Sequence, residues 1–193
     1  MTRRPRWRVA IVDDHERSRA DVRAAIWEAG GEVAGEAVRR ADALRLVERA
    51  HPDVAIFAVG LGDGDGVEAA AEVVAQGCPV VLLTSHTDPT LVARAREAGV
   101  MAYLVKPLRP AELGPALDLA VARFSEARTL RQELEERKIV ERAKGLLMRR
   151  YHLSEPEAFQ RLRRAAMDSR RPMVDIARAV LTSEAVVGEG TTD

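Results

Sequence analysis

The chain is poor in the residues that staple, coordinate and stack. Cys78 is its only cysteine among 193 residues, which excludes a disulfide framework and a thiolate metal site. The four histidines (His15, His51, His86 and His152) are scattered along the chain, so no zinc constellation is expected. Aromatic residues make up 4%, too few to build a stacking track for an extended single strand. No apolar run approaches the roughly 20 residues of a membrane span. Met1–Arg8 lacks a signal-peptide core, and a cytoplasmic protein with no membrane association is expected. No nucleophile–base arrangement stands out, and the glycine-rich stretch Gly60–Gly66 lacks the Lys-Ser/Thr of a phosphate-binding P-loop. An enzyme is therefore not expected, and Cys78 is expected to be a small buried hydrophobe ahead of a strand.

What is present is a charge asymmetry. The formal net charge is zero, yet residues 137–182 hold twelve basic side chains against five acidic ones, a local excess of +7. Such a split points the C-terminal part toward a polyanion and leaves the remainder acidic. The length suits one domain plus a smaller second one.

Read in order, Trp7–Val12 is an apolar run ending in Asp13-Asp14. A helical pattern over 16–29 stops at Gly30-Gly31, and short strand and helix patterns follow over 32–36 and 41–50. Val54–Val59 is the most continuous apolar strand, and Gly60–Gly66 is expected to break all regular structure. Further helix, strand, helix and strand patterns cover 67–75, 79–83, 89–98 and 101–105, and another helix begins near Pro110. Five strand–helix alternations with short connections predict a parallel sheet covered on both faces. Reactive groups of such sheets gather at the carboxyl ends of the strands, which here carry Asp13, Asp14, Ala58, Thr84 and Lys106.

An acidic pair after the first strand, Thr84 after the fourth and Lys106-Pro107 after the fifth give residues 7–124 a close resemblance to the receiver domain of bacterial response regulators. That resemblance implies a flavodoxin-like (βα)5 fold, Mg2+ on the acidic pair, a phosphoryl-accepting aspartate after strand three, phosphate sensing by Thr and Lys, and a cis Lys–Pro bond. Tyr103 stands where the family has its aromatic switch residue. The acceptor usually lies five residues after the Pro-Asp aspartate and seven before the Asp-Gly of the next loop. Counting from Asp53 and from Asp65 gives position 58 both times, and position 58 is Ala. A methyl group can neither attack phosphorus nor ligate Mg2+, which needs near-octahedral oxygen coordination. A pseudo-receiver is expected, with no resident cofactor and at most weak Mg2+ at Asp13 and Asp14. Gly62, where the family often has proline, predicts a loosened loop. Asp13, Asp14, Asp63 and Asp65 are the alternative, non-standard phosphate acceptors, with turn formation expected for the last two.

Leu113, Leu117, Ala120, Phe124 and Ala127 alternate by four and three, a coiled-coil spacing that blurs at Leu130 and resumes at Leu134. Leu113, Leu117 and Val121 are expected to cover the sheet. Phe124, Ala127, Leu130 and Leu134 are expected to pair two chains through a helical linker over 111–136. Ile139, Val140, Ala143, Leu146, Leu147 and Tyr151 then form one stripe. Ser154-Glu155-Pro156-Glu157 is a capping box that opens a helix with Ala158, Phe159, Leu162, Ala165 and Ala166 inward. A further helix spans 173–181, and 183–193 is expected to fray.

The string Ala143-Lys144-Gly145 followed by Leu147-Met148, with Ser154-Glu155, Ala158-Phe159, Leu162-Arg163, Ala166 and Ile176-Ala177, resembles the ANTAR domain, the RNA-binding output module of AmiR/NasR-type transcription antiterminators. It covers about 130–182 and implies an all-α three-helix domain that binds hairpins in leader transcripts. Lys144 and Arg163 are the expected direct RNA contacts. Arg142, Arg149, Arg150, Arg164, Arg170 and Arg171 are the expected phosphate contacts. Gly145 is expected to mark a close approach by a helix or by RNA. The resemblance also implies control by a ligand-sensing partner protein. The competing reading is a DNA-binding response regulator, and a pure adaptor is the third; the helix connections do not form a convincing helix-turn-helix.

Overall fold

A computed structural model describes residues 6–188. The chain divides into two compact units, Met1–Glu126 and Ala127–Asp193. The first alternates β1 (Arg8–Val12), α1 (Glu16–Glu28), β2 (Glu32–Ala37), α2 (Arg40–Ala50) and β3 (Val54–Ala58). It continues through β4 (Gly60–Leu61), β5 (Gly64–Asp65), α3 (Gly66–Ala75), β6 (Val80–Thr84), α4 (Pro89–Glu97) and β7 (Ala102–Val105). The helix α5 (Pro110–Tyr151) holds the boundary between the units. The second unit adds α6 (Glu155–Ser169) and α7 (Met173–Gly188).

The main sheet is parallel, in the order β2-β1-β3-β6-β7. Its central strands read as unbroken apolar runs because both faces are covered. Period-two alternation sends Val9, Ile11, Val54, Ile56, Val81 and Leu83 to one side, against Val22 and Ile26 of α1 and Leu113 and Leu117 of α5. Ala10, Val12, Ala55, Phe57, Val80 and Leu82 face the other side, against Leu46 and Val47 of α2, Val67 and Val73 of α3 and Ala95 of α4. Leu113 and Leu117 thus cover the sheet as expected, with Val121 packed at the margin. Cys78 is buried ahead of β6, and burial pushes its thiol up to about 12. The strand order reverses between β1 and β3, so the carboxyl ends of these two strands flank the crevice where such sheets bind ligands.

One expectation is corrected. The Gly60–Gly66 stretch is not irregular or loosened, because β4 and β5 pair antiparallel, Gly60 with Asp65 and Leu61 with Gly64. Its aspartates hold the starts of two helices. Asp63 accepts the backbone N–H groups of Arg40 and Ala41 at the start of α2, and Asp65 accepts that of Val67 as the N-cap of α3. The last helix is assigned to Gly188, and residues 189–193, within the stretch 183–193 expected to fray, lie outside the described residues.

The second unit is cored by Ala143, Leu147, Ala158, Leu162 and Ala177, with Ile139, Met148, Leu153, Ile176 and Val180 around them. Alanine at three of the five central places lets the helices approach closely. The capping box forms as expected: the Ser154 amide and hydroxyl both donate to Glu157 Oε2, at 2.8 and 2.6 Å.

Gly66 is the tightest point of the receiver unit. A β-carbon there would lie 1.8 Å from the Ala58 carbonyl oxygen, whereas one at Gly60 would meet nothing within 4 Å. Gly66→Ala is expected to lower stability to urea by about 2 kcal/mol or more, since backbone must move. Gly60→Ala should stay within about 0.5 kcal/mol. Equal midpoints for the two variants would contradict this packing.

Candidate receiver pocket and basic helical surface

The turn after β1 holds Asp13, Asp14 and His15. Asp13 is buried and fully engaged: it accepts the His15 amide at 2.8 Å, the Ser18 hydroxyl at 2.6 Å and Lys106 Nζ at 2.9 Å. Burial alone pushes its carboxyl up, but the Ser18, Lys106 and His15 bonds outweigh it and hold the group below its ordinary value. Asp14 lies beside it, with His15 Nδ1 at 2.7 Å from its Oδ1. Lys106 follows β7 and is positioned by its own amide, which donates to the Thr84 carbonyl at 2.7 Å. The Lys106–Pro107 bond is cis, as the resemblance implies.

Ala58 ends β3 and opens onto a cleft of about 460 Å3 shared with Thr84, Lys106, His15, Asp88 and Arg94. The structure therefore brings Ala58, Thr84 and Lys106 together where the sequence placed them. Asp13 sits one ion pair away. The Thr84 hydroxyl donates to the His86 carbonyl at 2.6 Å, closing the loop after β6. Tyr103 lies outside this cleft, with its ring exposed.

The other acids near the cleft are already engaged. Asp63 lies low in pKa through the Arg40 and Ala41 amides. Burial pushes Asp65 up, but the Arg94 guanidinium and the Val67 amide outweigh it. Asp13, Asp14 and His15 could each offer one ligand atom within 4.8 Å of the others. That set fits Mg2+ poorly, since both Asp13 oxygens already accept hydrogen bonds, His15 offers nitrogen and Ala58 offers nothing.

In the second unit the predicted RNA residues separate into two groups. Arg142, Arg149, Arg150, Arg163, Arg164, Arg170 and Arg171 are exposed, and among the described residues no carboxylate pairs with them. Lys144 belongs to a different class. Its side chain is buried, 9% exposed, and its ammonium bonds Glu141 on its own helix at 3.0 Å and Glu155 at the start of α6 at 2.7 Å. In this arrangement Lys144 ties α5 to α6, and its ammonium is taken up by two carboxylates where a direct RNA contact was expected. Within this chain no helix comes close at Gly145: the nearest group to a β-carbon there is the Arg149 guanidinium, at an ordinary 3.7 Å, which leaves RNA as the expected neighbour.

Two aromatic placements are corrected as well. Phe159, expected in the core, is 38% exposed, and Tyr151 is 46% exposed. The α6 face that carries Phe159 is turned out because Ala158 and Leu162 fill the interior. Along α5, Leu130 and Leu134 are 66% and 54% exposed, whereas Phe124 and Ala127 are half-buried. Sequence reasoning missed Ser18 and the Arg94–Asp65 pair. Ser18 was legible as a hydroxyl in the first turn after the acids, but no spacing rule links residues 65 and 94.

The Lys144 staple has a pH signature. Bonding to Glu155 and Glu141 raises the Lys144 ammonium, and Lys144 lowers the Glu155 carboxyl. A lowered carboxyl contributes stability that is present above its ordinary value and lost as pH falls through the folded one. A raised ammonium contributes below its ordinary value and loses it as pH rises through the folded one. Lys144→Met is expected to lower the melting temperature at neutral pH, with the difference from wild type shrinking at pH below about 4.5 as Glu155 protonates. A gap independent of pH would show that Lys144 acts through packing alone.

Comparison with known proteins agrees with both units. Residues 9–118 match the response regulator receiver domain, and residues 128–181 match the ANTAR domain. The transcriptional regulatory protein PdtaR of Mycobacterium tuberculosis is 43% identical over 182 residues, spanning 90% of this chain and 89% of that protein. The nitrate regulatory protein of Klebsiella oxytoca is 48% identical over 58 residues, 30% of this chain and 15% of its own. Among solved structures, the chemotaxis protein CheY4 of Vibrio cholerae is 30% identical and superposes with a TM-score of 0.55 over 58% of this chain and 97% of its own. No helix among the described residues is long and apolar enough to cross a membrane. The chain belongs to the response-regulator receiver family and carries a C-terminal ANTAR domain, which makes it a regulator of transcription and not an enzyme.

Proposed function

We propose that this regulator is an antiterminator that binds hairpins in nascent leader RNA, and that its receiver takes no phosphoryl group. The observation that carries the reading is the methyl of Ala58 at the cleft, with Lys106 bonded to Asp13. A receiver transfers phosphate to a carboxylate at that position, and none stands there. Asp63 and Asp65 are engaged as a helix cap or ion-pair partner and Asp13 is bonded to Lys106, which supports leaving these three out. Mg2+ is expected to bind weakly, because Asp13 keeps little free oxygen for it.

RNA as the target is supported by the ANTAR match and by the unpaired arginines on the same unit. Cations without carboxylate partners bind phosphates at little electrostatic cost and release counterions when they do so. Without a phosphate switch, control falls to another protein, one that senses a small ligand and sequesters or releases the regulator. The exposed Leu130 and Leu134 favour a homodimer paired along α5. Two linked RNA-binding units would raise the effective concentration for twin hairpins.

Ala58→Asp is expected to gain a hydroxylamine-sensitive label from acetyl phosphate and Mg2+, while the wild type takes none. Label on the wild type would overturn the phosphate-free receiver. In competition at matched salt, stem-loop RNA should displace bound probe at lower concentration than duplex DNA does. Preference for the duplex would favour a DNA-binding regulator instead.

A further inference from the structure

The ANTAR unit carries an aromatic–cation stack that the sequence did not reveal. Tyr151, the last residue of α5, has an exposed ring, and the Arg161 guanidinium carbon stands 4.3 Å from its centroid. Arg150 reaches the same ring at 5.9 Å. Arg161 has no carboxylate partner among the described residues, so the ring alone fixes its place and its charge stays open to a ligand. Beside the stack runs a groove of about 490 Å3, with Leu153 and Ala165 as apolar lining and Gln160, Arg161, Arg164 and Asp168 as polar lining. Glu157 also borders it, but its carboxylate is occupied by Ser154.

We infer that Arg161, backed by Tyr151, is the stacking platform for one unpaired base of a folded RNA, and that the adjacent groove reads the edge of that base. The inference rests on the RNA-binding reading above. A guanidinium is planar and weakly hydrated, so a base can lie on it as on an aromatic ring. Held over Tyr151, it loses less freedom when the base arrives. Arg164, one turn further along α6, is placed for the neighbouring phosphate. Asp168 does the opposite: it repels phosphate but accepts from the amino or ring N–H donors of a base. Gln160 offers both donor and acceptor groups. A groove with a cation at one place and an acid at another thus sorts base from backbone. Unpaired loop bases are the ones free to be splayed out in this way, since bases within an A-form stem are closed to side chains.

The full-length protein is titrated with a stem-loop RNA carrying 2-aminopurine at one loop position per molecule. Wild type should change the fluorescence of one loop position far more than the others. Tyr151→Leu and Arg161→Lys should both lose that change and bind roughly tenfold more weakly. Their salt dependence should remain that of the wild type, since neither alters charge. Arg164→Gln should instead flatten the salt dependence. Arg161→Lys alters an exposed side chain and keeps the fold testable if Tyr151→Leu melts early. Wild-type affinity and fluorescence in both variants would overturn the platform while leaving RNA binding intact. No binding of the stem-loop by wild type would overturn the RNA reading, and the platform with it.

Discussion

The receiver unit depends on the ion pair between Lys106 and Asp13, which ties the turn after β1 to the end of β7 across the carboxyl edge of the sheet. A buried carboxylate is costly unless paired and hydrogen-bonded. Asp13 meets both conditions through Lys106, Ser18 and the His15 amide. Position 58 of β3 is alanine and offers Lys106 no carboxylate, and its partner is Asp13.

The neighbouring loop obeys the same logic. Asp63 and Asp65 look like spare acids in a glycine-rich stretch, yet each ends its negative charge at the start of a helix, where free N–H groups and the helix dipole favour it. Arg40 then spans to Glu68 and Glu72 of α3, and Arg94 closes on Asp65. Gly66 lies hard against the Ala58 carbonyl, so this hairpin and the end of β3 are one packed piece. In the ANTAR unit, Lys144 plays the comparable part between α5 and α6, while the arginines are left to the surface.

Much of this was legible in the residues because it is periodic or local. The parallel sheet could be read from unbroken apolar runs ending in Asp13, Ala58, Thr84 and Lys106, and the start of α6 from Ser154 and Glu157. Some departures are contacts between residues that no local rule connects. Lys144 read as a surface cation because its second carboxylate, Glu155, comes eleven residues later across a turn. Tyr151 and Arg161 meet the same way, ten residues apart. Phe159 read as core because an aromatic beside Ala158 fits an apolar stripe, but a core cut down to alanines has no room for it. The β4–β5 ribbon escaped notice because glycines and aspartates carry no strand signal.

The central claim is that the receiver cleft has lost its phosphate chemistry and kept its architecture. Beryllofluoride mimics a phosphoryl group only when a carboxylate oxygen coordinates beryllium, so it reports on the acceptor directly. Amide NMR spectra of the wild-type chain in Mg2+, recorded with and without beryllofluoride, make the test. The account predicts unchanged resonances for Thr84, Ser85 and Lys106. Shifts at those residues, saturating with beryllofluoride, would show that an acceptor carboxylate operates in the cleft and would contradict it.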